Sequence, residues 1–376
     1  MTKALQPSAF QRFLLPGFAF KAIVIGGGYA TGRELAEFFV PSGPWGGVAA
    51  IALSTVLWSI VCAITFVFAW RAQAFDYRLF FKAMLGKGWV VFEVAYILLV
   101  VLVLSVFGAA AGSLGAAMFG IAPTWGTLAL MVLIAAFVGL GNTAVERLFS
   151  YVTFMMYGVY AIFAVLALSR FGDDILVSFG NSIPPRQWVE GGLKYSGYNV
   201  VCAVAVLAVL RHLTSSRDAL IAGLLAGPLA MLPALIFFVC MMAFYPGIGN
   251  EALPSDFMLR RLDVPAFHIL FQIMIFAAIL ESGAGTVHSI NERVSNVWSS
   301  RRGTELSHGA RFGVGIVLLT LCMFIADRFG LVTLISEGYG ALSYAFLAIY
   351  VLPVLTIGLW RILRSPHLSD QVSIER

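Results

Sequence analysis

Three segments of this 376-residue chain place polar groups and glycine inside otherwise apolar runs. The first is Gly26-Gly27-Gly28-Tyr29-Ala30-Thr31-Gly32, continued by Arg33, Glu34 and Glu37, within the run from Phe13 to Val40. The second is Tyr195-Ser196-Gly197-Tyr198-Asn199. The third is Glu281-Ser282-Gly283-Ala284-Gly285-Thr286, with His288 and Ser289 just beyond. Carboxylate, hydroxyl and backbone carbonyl oxygens are hard donors that suit Na+ or a proton. Hydroxyls and an amide beside a relaxed backbone suit a small polar solute.

Each segment has a functional and a structural reading. Gly26 to Gly28 lower the cost of unwinding a helix, and an unwound span frees carbonyls for a cation and amides for anionic groups. Gly28 and Gly32 also have the spacing of a helix-packing face. A dinucleotide loop is excluded, because no strand precedes the glycines. Glu34 lies roughly 12 Å beyond Gly26 along a helix; it faces a cavity, or the span ends early and leaves Arg33, Glu34 and Glu37 at the interface. In the second segment Gly197 would relax the backbone while Tyr198 and Asn199 meet a solute, whereas Tyr195 also fits an interfacial aromatic belt. Glu281 is the strongest ionisable candidate, being mid-span in a run that is apolar from Phe267 onward; it reads as a proton carrier or cation ligand, or as a hydrogen-bonded structural carboxyl. Ser282, Ser289 and, less closely, Thr286 and His288 project from related helical faces. Glu93, Tyr96 and Asn142 are weaker candidates. Asn291, Glu292 and Arg293 are assigned to a helix end, and Lys21 to a snorkelling position at the interface, outside the site.

The elements that must position these residues are membrane spans. The chain is 60% hydrophobic and 11% charged, with a mean hydropathy of +0.91, which is the composition of a polytopic membrane protein. Spans fit at 14–39, 46–70, 88–113, 124–141, 148–169, 193–210, 219–245, 264–290, 312–326 and 338–360, the fourth and ninth looking short and open to extension or tilt. Basic residues gather in alternate loops: Arg71 to Lys87, Arg147, Arg211 and Arg217, Arg293 to Arg311, and the tail with Arg361, Arg364 and Arg376. The opposite loops are uncharged or mixed, including 171–192 with Asp173 and Asp174. That alternation supports ten spans and places both termini in the cytoplasm. The first and second segments lie roughly 170 residues apart, so five spans form each half. Halves of five cross the membrane in opposite senses, as in inverted-repeat transporters.

Other classes are disfavoured. Cys62, Cys202, Cys240 and Cys322 sit in apolar runs without metal-ligand spacing. No removable signal peptide is expected. The net charge of +5 is explained by loop orientation in the bilayer rather than by nucleic acid. Enzyme motifs are missing.

At these residues the chain resembles the YkvI-like family of bacterial membrane proteins, related to the amino acid, polyamine and organocation transporters. The family's first span looks like Gly-Ala-Gly-Phe-Ala-Ser-Gly-Gln-Glu followed by Phe-Phe; here it reads Gly26 through Glu34, then Phe38-Phe39. The Tyr198-Asn199 cluster and the Glu281 to Gly285 run with Asn291-Glu292-Arg293 are also similar. Arg33 stands where the family pattern has glutamine, and Gly27 where it has alanine. The resemblance implies a LeuT-like fold of five plus five inverted helices with the first and sixth broken. It also implies a cation between helices one and eight, and a substrate among helices one, three, six and eight.

The expectation is an all-α integral membrane protein of one domain over 1–376, with repeats at 14–170 and 193–362, in the bacterial inner membrane. Its expected function is cation-coupled (Na+ or H+) alternating-access transport of a small polar or zwitterionic solute such as an amino acid. Solute contacts are expected at Gly27, Gly28, Tyr29, Thr31, Glu34, Tyr198 and Asn199. Coupling is expected at Gly26, Gly27, Glu281, Ser282, Gly285 and Thr286, with Na+ at Gly26, Glu281 and Ser282. No cofactor beyond that ion is expected, and the oligomeric state is not readable. A passive channel and a membrane-embedded enzyme acting on lipid are the alternatives.

Overall fold

Apolar runs of lipid length fold as helices because a helix satisfies every internal backbone group without water. The computed structural model describes residues 7–140, 142–181, 183–302 and 307–364, and these contain helices and no strand. In chain order they are α1 (10–38, broken), α2 (Gly43–Ala72), α3 (Tyr77–Leu85), α4 (Trp89–Phe119), α5 (Pro123–Leu140) and α6 (Asn142–Gly180). There follow α7 (188–212, broken), α8 (Ser216–Met241), α9 (Pro254–Leu262), α10 (Pro265–Arg302), α11 (His308–Thr333) and α12 (334–364). All but α3 and α9 correspond to the ten expected spans. Their outward faces are apolar, with Val56, Val91, Val132, Val165, Phe324 and Leu352 all exposed, as a lipid-facing surface requires.

Several boundaries differ from the sequence reading. The segment 171–192 is not all loop, since α6 continues past Asp173 and Asp174 to Gly180. The ninth span takes its extended form: the Ser307 hydroxyl caps α11 by accepting from the Ala310 amide at 3.3 Å, and the helix bends at Gly330. Near the start of α11, Arg311 pairs with Glu292 and donates to the Ser295 hydroxyl of α10, at 2.7 Å each. The short helix α3 starts where Asp76 accepts from the Arg78 and Leu79 amides. It buries Phe80, Phe81, Ala83 and Met84 while Lys82 stays exposed.

The two expected breaks are present. Helix α1 leaves helical geometry at Ile25 (φ −76, ψ 82), makes one turn over Gly27–Ala30, and breaks again at Gly32, whose φ of +79 suits glycine alone. Helix α7 runs as Trp188–Asn199, loosens at Val200 and Val201, and resumes as Cys202–Ala205 and Leu207–His212. The second break therefore follows Asn199 and is not made by Gly197. Gly197 instead lets α7 lie directly on α12, since a Cβ there would come within 2.5 Å of the Ser343 carbonyl oxygen. The same logic joins α8 to α2, where Gly223 and Gly227 rest on the backbone of Ala63 and Thr55. The core between these helices is aromatic, with Phe20, Trp58, Phe66 and Tyr195 fully buried. The cysteines are free, and Cys202 alone of the four is half-buried.

Candidate functional site

The two breaks meet at Glu34. Gly32 turns the chain so that α1 restarts at Arg33, and the Glu34 carboxylate folds back into the space that a side chain on Gly28 would fill. Glu34 is 4% exposed, enclosed by protein rather than open to its surroundings. Across the gap, the Tyr198 hydroxyl donates to Glu34 Oε2 at 2.7 Å. The Tyr198 ring stacks on Tyr339 of α12, with centroids 4.2 Å apart and 16° between planes. The Asn199 side chain donates to the Tyr195 carbonyl at 3.2 Å. One hydrogen bond thus ties the break in α1 to the break in α7.

Neighbouring residues are committed elsewhere. The Thr31 hydroxyl donates to the Gly28 carbonyl at 3.0 Å, which stabilises the broken turn and leaves that oxygen only an acceptor's role toward a ligand. Arg33 is buried against the 249–251 backbone, donating to the Gly249 and Glu251 carbonyls at 2.8 Å each and pairing with Glu37. The Ser255 amide of α9 donates to the Thr31 carbonyl at 3.0 Å. Helix α9 is itself held to α10 through buried Asp256, which accepts from Gln272 at 2.6 Å and contacts His268 at 2.8 Å. The side of the α1 break bearing residues 247–262 is therefore covered.

Tyr29 is 1% exposed and its hydroxyl has no partner among the described residues; the same holds for Tyr195, at 0%. Tyr195 stacks on Trp58 with centroids 5.5 Å apart, so it is not a belt residue. Lys21 is likewise misplaced by the snorkelling rule: it is 4% exposed, with Nζ 3.7 Å from the ring centroid of Tyr157 on α6.

The residues expected to couple a cation are arranged differently. The Gly26 carbonyl accepts from the Ala30 amide at 2.9 Å, and its Cα faces the Phe107 ring of α4. Gly27 begins the short turn. On α10, Gly283 packs on Ile134 and approaches the same Phe107 ring, so α1 and α10 flank one phenyl group. Glu281 and Ser282 are half-buried, and the Thr286 hydroxyl donates to the Ser282 carbonyl at 2.7 Å. Gly285 lies on the same stretch of α10. Among the described residues no hydrogen bond or ion pair joins Glu281 to Gly26 or to the Glu34 group.

One feature was underrated from sequence. A cavity of about 440 Å³ opens among α3, α4, α7 and α10, lined by Asp76, Tyr77, Arg78, Tyr96, Val204 and Ser289 among others. It lies on the side with the basic loops. At its wall Arg293 pairs with Glu93, with the guanidinium 4.5 Å from the Tyr77 ring centroid and the Tyr77 hydroxyl 3.2 Å from Glu93. A carboxylate inside an apolar span calls for a partner. That was the available signal, although it could not say which base.

No protein-family model matches the chain. It is 23% identical over 341 residues to the uncharacterized membrane protein YkvI of Bacillus subtilis (strain 168), covering 88% of this chain and 92% of the relative. Among solved structures it is similar to MhsT in complex with L-phenylalanine, at a TM-score of 0.56 and 16% identity, over 98% of this chain and 99% of that one. It is also similar to mutant forms of the Eremococcus coleocola manganese transporter, at a TM-score of 0.53 and 12% identity, over 97% and 94%. The chain is thus similar to YkvI along most of its length, and its fold is the LeuT-like arrangement of five plus five inverted helices with the first and sixth broken.

Proposed function

We propose that the protein is a secondary transporter that carries a small polar or zwitterionic solute across the bacterial inner membrane by alternating access, driven by Na+ or H+. The observation that carries this reading is the Glu34–Tyr198 hydrogen bond, which places an enclosed polar group where two broken spans meet. A closed cover on one side and a 440 Å³ vestibule on the other fit a carrier whose path opens to one face at a time. The fold likeness to MhsT in complex with L-phenylalanine and to a manganese transporter points the same way. The halves would be 14–170 and 193–362, with both termini cytoplasmic.

In this scheme Tyr29, Tyr198, Asn199 and Glu34 meet the solute, and Gly28 supplies the room Glu34 needs. Thr31 maintains the break and offers a lone pair. Glu281, with Ser282 and the carbonyls near Gly26 and Gly27, would take the coupling ion, or Glu281 alone a proton. The test is uptake into proteoliposomes under imposed Na+ and pH gradients. Wild type should accumulate solute only under the right gradient, and Glu281→Gln should abolish accumulation while leaving exchange. Unchanged gradient-driven uptake in that variant would remove Glu281 from coupling. Large currents without accumulation would favour a channel.

A further inference from the structure

We propose that the cargo bound where the two breaks meet carries an ammonium group and no carboxylate, with Glu34 as its counter-ion inside a cage of tyrosines. This rests on the transport reading above and narrows its solute. Glu34 is enclosed, yet none of the ion pairs among the described residues involves it. Its neighbour Arg33 is held away by two loop carbonyls and Glu37. A carboxylate enclosed in protein within a bilayer needs a positive charge or a proton beside it. Among the described residues no basic side chain pairs with Glu34, and an ammonium cargo would supply both the charge and the N–H donors.

The surroundings fit an ammonium in particular. Tyr198 bonds Glu34, stacks on Tyr339 and meets Tyr195 edge-on with centroids 6.0 Å apart, while Tyr29 follows the Gly28 that Glu34 folds against, and aromatic faces attract cations. The hydroxyls of Tyr29 and Tyr195 are buried without partners among the described residues, which is costly unless a ligand completes them. An ammonium has three N–H donors and no acceptor. Glu34 and two phenol oxygens match that inventory. A cargo carboxylate would have backbone amides but, among the described residues, no basic side chain to answer it, and it would add a second negative charge beside Glu34.

The test uses the purified full chain in nanodiscs with radiolabelled ethanolamine and putrescine as amine probes and L-phenylalanine as the zwitterionic one, then counterflow of each in proteoliposomes, which needs no ion gradient. The expected result is saturable binding of an amine, weakened at least tenfold by Glu34→Gln, and no binding of L-phenylalanine. Should Glu34→Gln fail to fold, Tyr29→Phe and Tyr195→Phe each remove one acceptor and should weaken amine binding several-fold. Failure of both amines to bind overturns the proposal, as does amine binding unchanged by these variants. L-Phenylalanine counterflow unaffected by Glu34→Gln would keep the transport reading and overturn the amine assignment. Amine binding without any counterflow would do the reverse.

Discussion

Gly28→Ala isolates the contact on which the candidate site depends. Alanine raises helix propensity over glycine by about 1 kcal/mol, so the short Gly27–Ala30 turn alone would gain from the change. The new methyl, however, would lie 2.8 Å from Glu34 Cγ and 2.9 Å from Cδ, and closer still to Oε1. Glu34 must then swing away from Tyr198. Losing a hydrogen bond to a charged group costs about 1.5–3 kcal/mol, which outweighs the propensity gain. The net expectation is a loss of about 0.5–2 kcal/mol in stability and a 10- to 100-fold fall in affinity for whatever solute Glu34 holds. Thermal unfolding in detergent and equilibrium binding measure the two. A double-mutant cycle supplies the control: in a Glu34→Ala background the methyl meets no carboxylate, so Gly28→Ala should become neutral or stabilising by about 1 kcal/mol. Equal destabilisation in both backgrounds would refute the steric reasoning.

Three further outcomes are expected. Lys21→Met replaces a buried ammonium, resting on a ring face, by a side chain of similar length; it should leave the unfolding temperature unchanged or raise it, and a clear drop would mean that Lys21 has a stabilising partner. Glu93→Gln removes an ion pair whose members are 17% and 14% exposed, a loss of about 1–2 kcal/mol after allowing for partial solvation; alkylation of Cys202, on the α7 turn that lines the vestibule with Val204 and Ala205, should quicken about 5- to 30-fold, and an unaltered rate would show that the pair does not close the path. Gly197→Val should separate α7 from the Ser343 backbone and cost several kcal/mol, on the order of other overpacking changes; wild-type unfolding would contradict the close approach.

The elements of this protein were easier to read than their partners. Lipid-length apolar runs and alternating basic loops suffice for ten spans, and the glycine run at 26–28 marks the first break correctly. Gly197 misleads because glycine serves equally to unwind a helix and to let two helices touch, and only the position of Ser343, far along the chain, decides between them. Hydropathy likewise reports where lipid contact stops, not where a helix stops, so α6 outruns its apolar stretch through Asp173 and Asp174. Lys21 was assigned by a rule that assumes lipid or water nearby, whereas its neighbour is Tyr157.

The same limit explains how the carboxylates were ranked. Depth in an apolar run put Glu281 first, but Glu281 is half-buried without a hydrogen bond among the described residues, while Glu34 is enclosed, bonded by Tyr198 and ringed by phenols. An accessible carboxylate can exchange a proton or ion with an aqueous path; an enclosed one must have its charge answered by whatever is bound beside it. On the proposed function the two would serve different steps, Glu281 the coupling ion and Glu34 the cargo. That division makes opposite predictions for their glutamine variants: loss of gradient dependence with exchange preserved for Glu281→Gln, and loss of binding itself for Glu34→Gln.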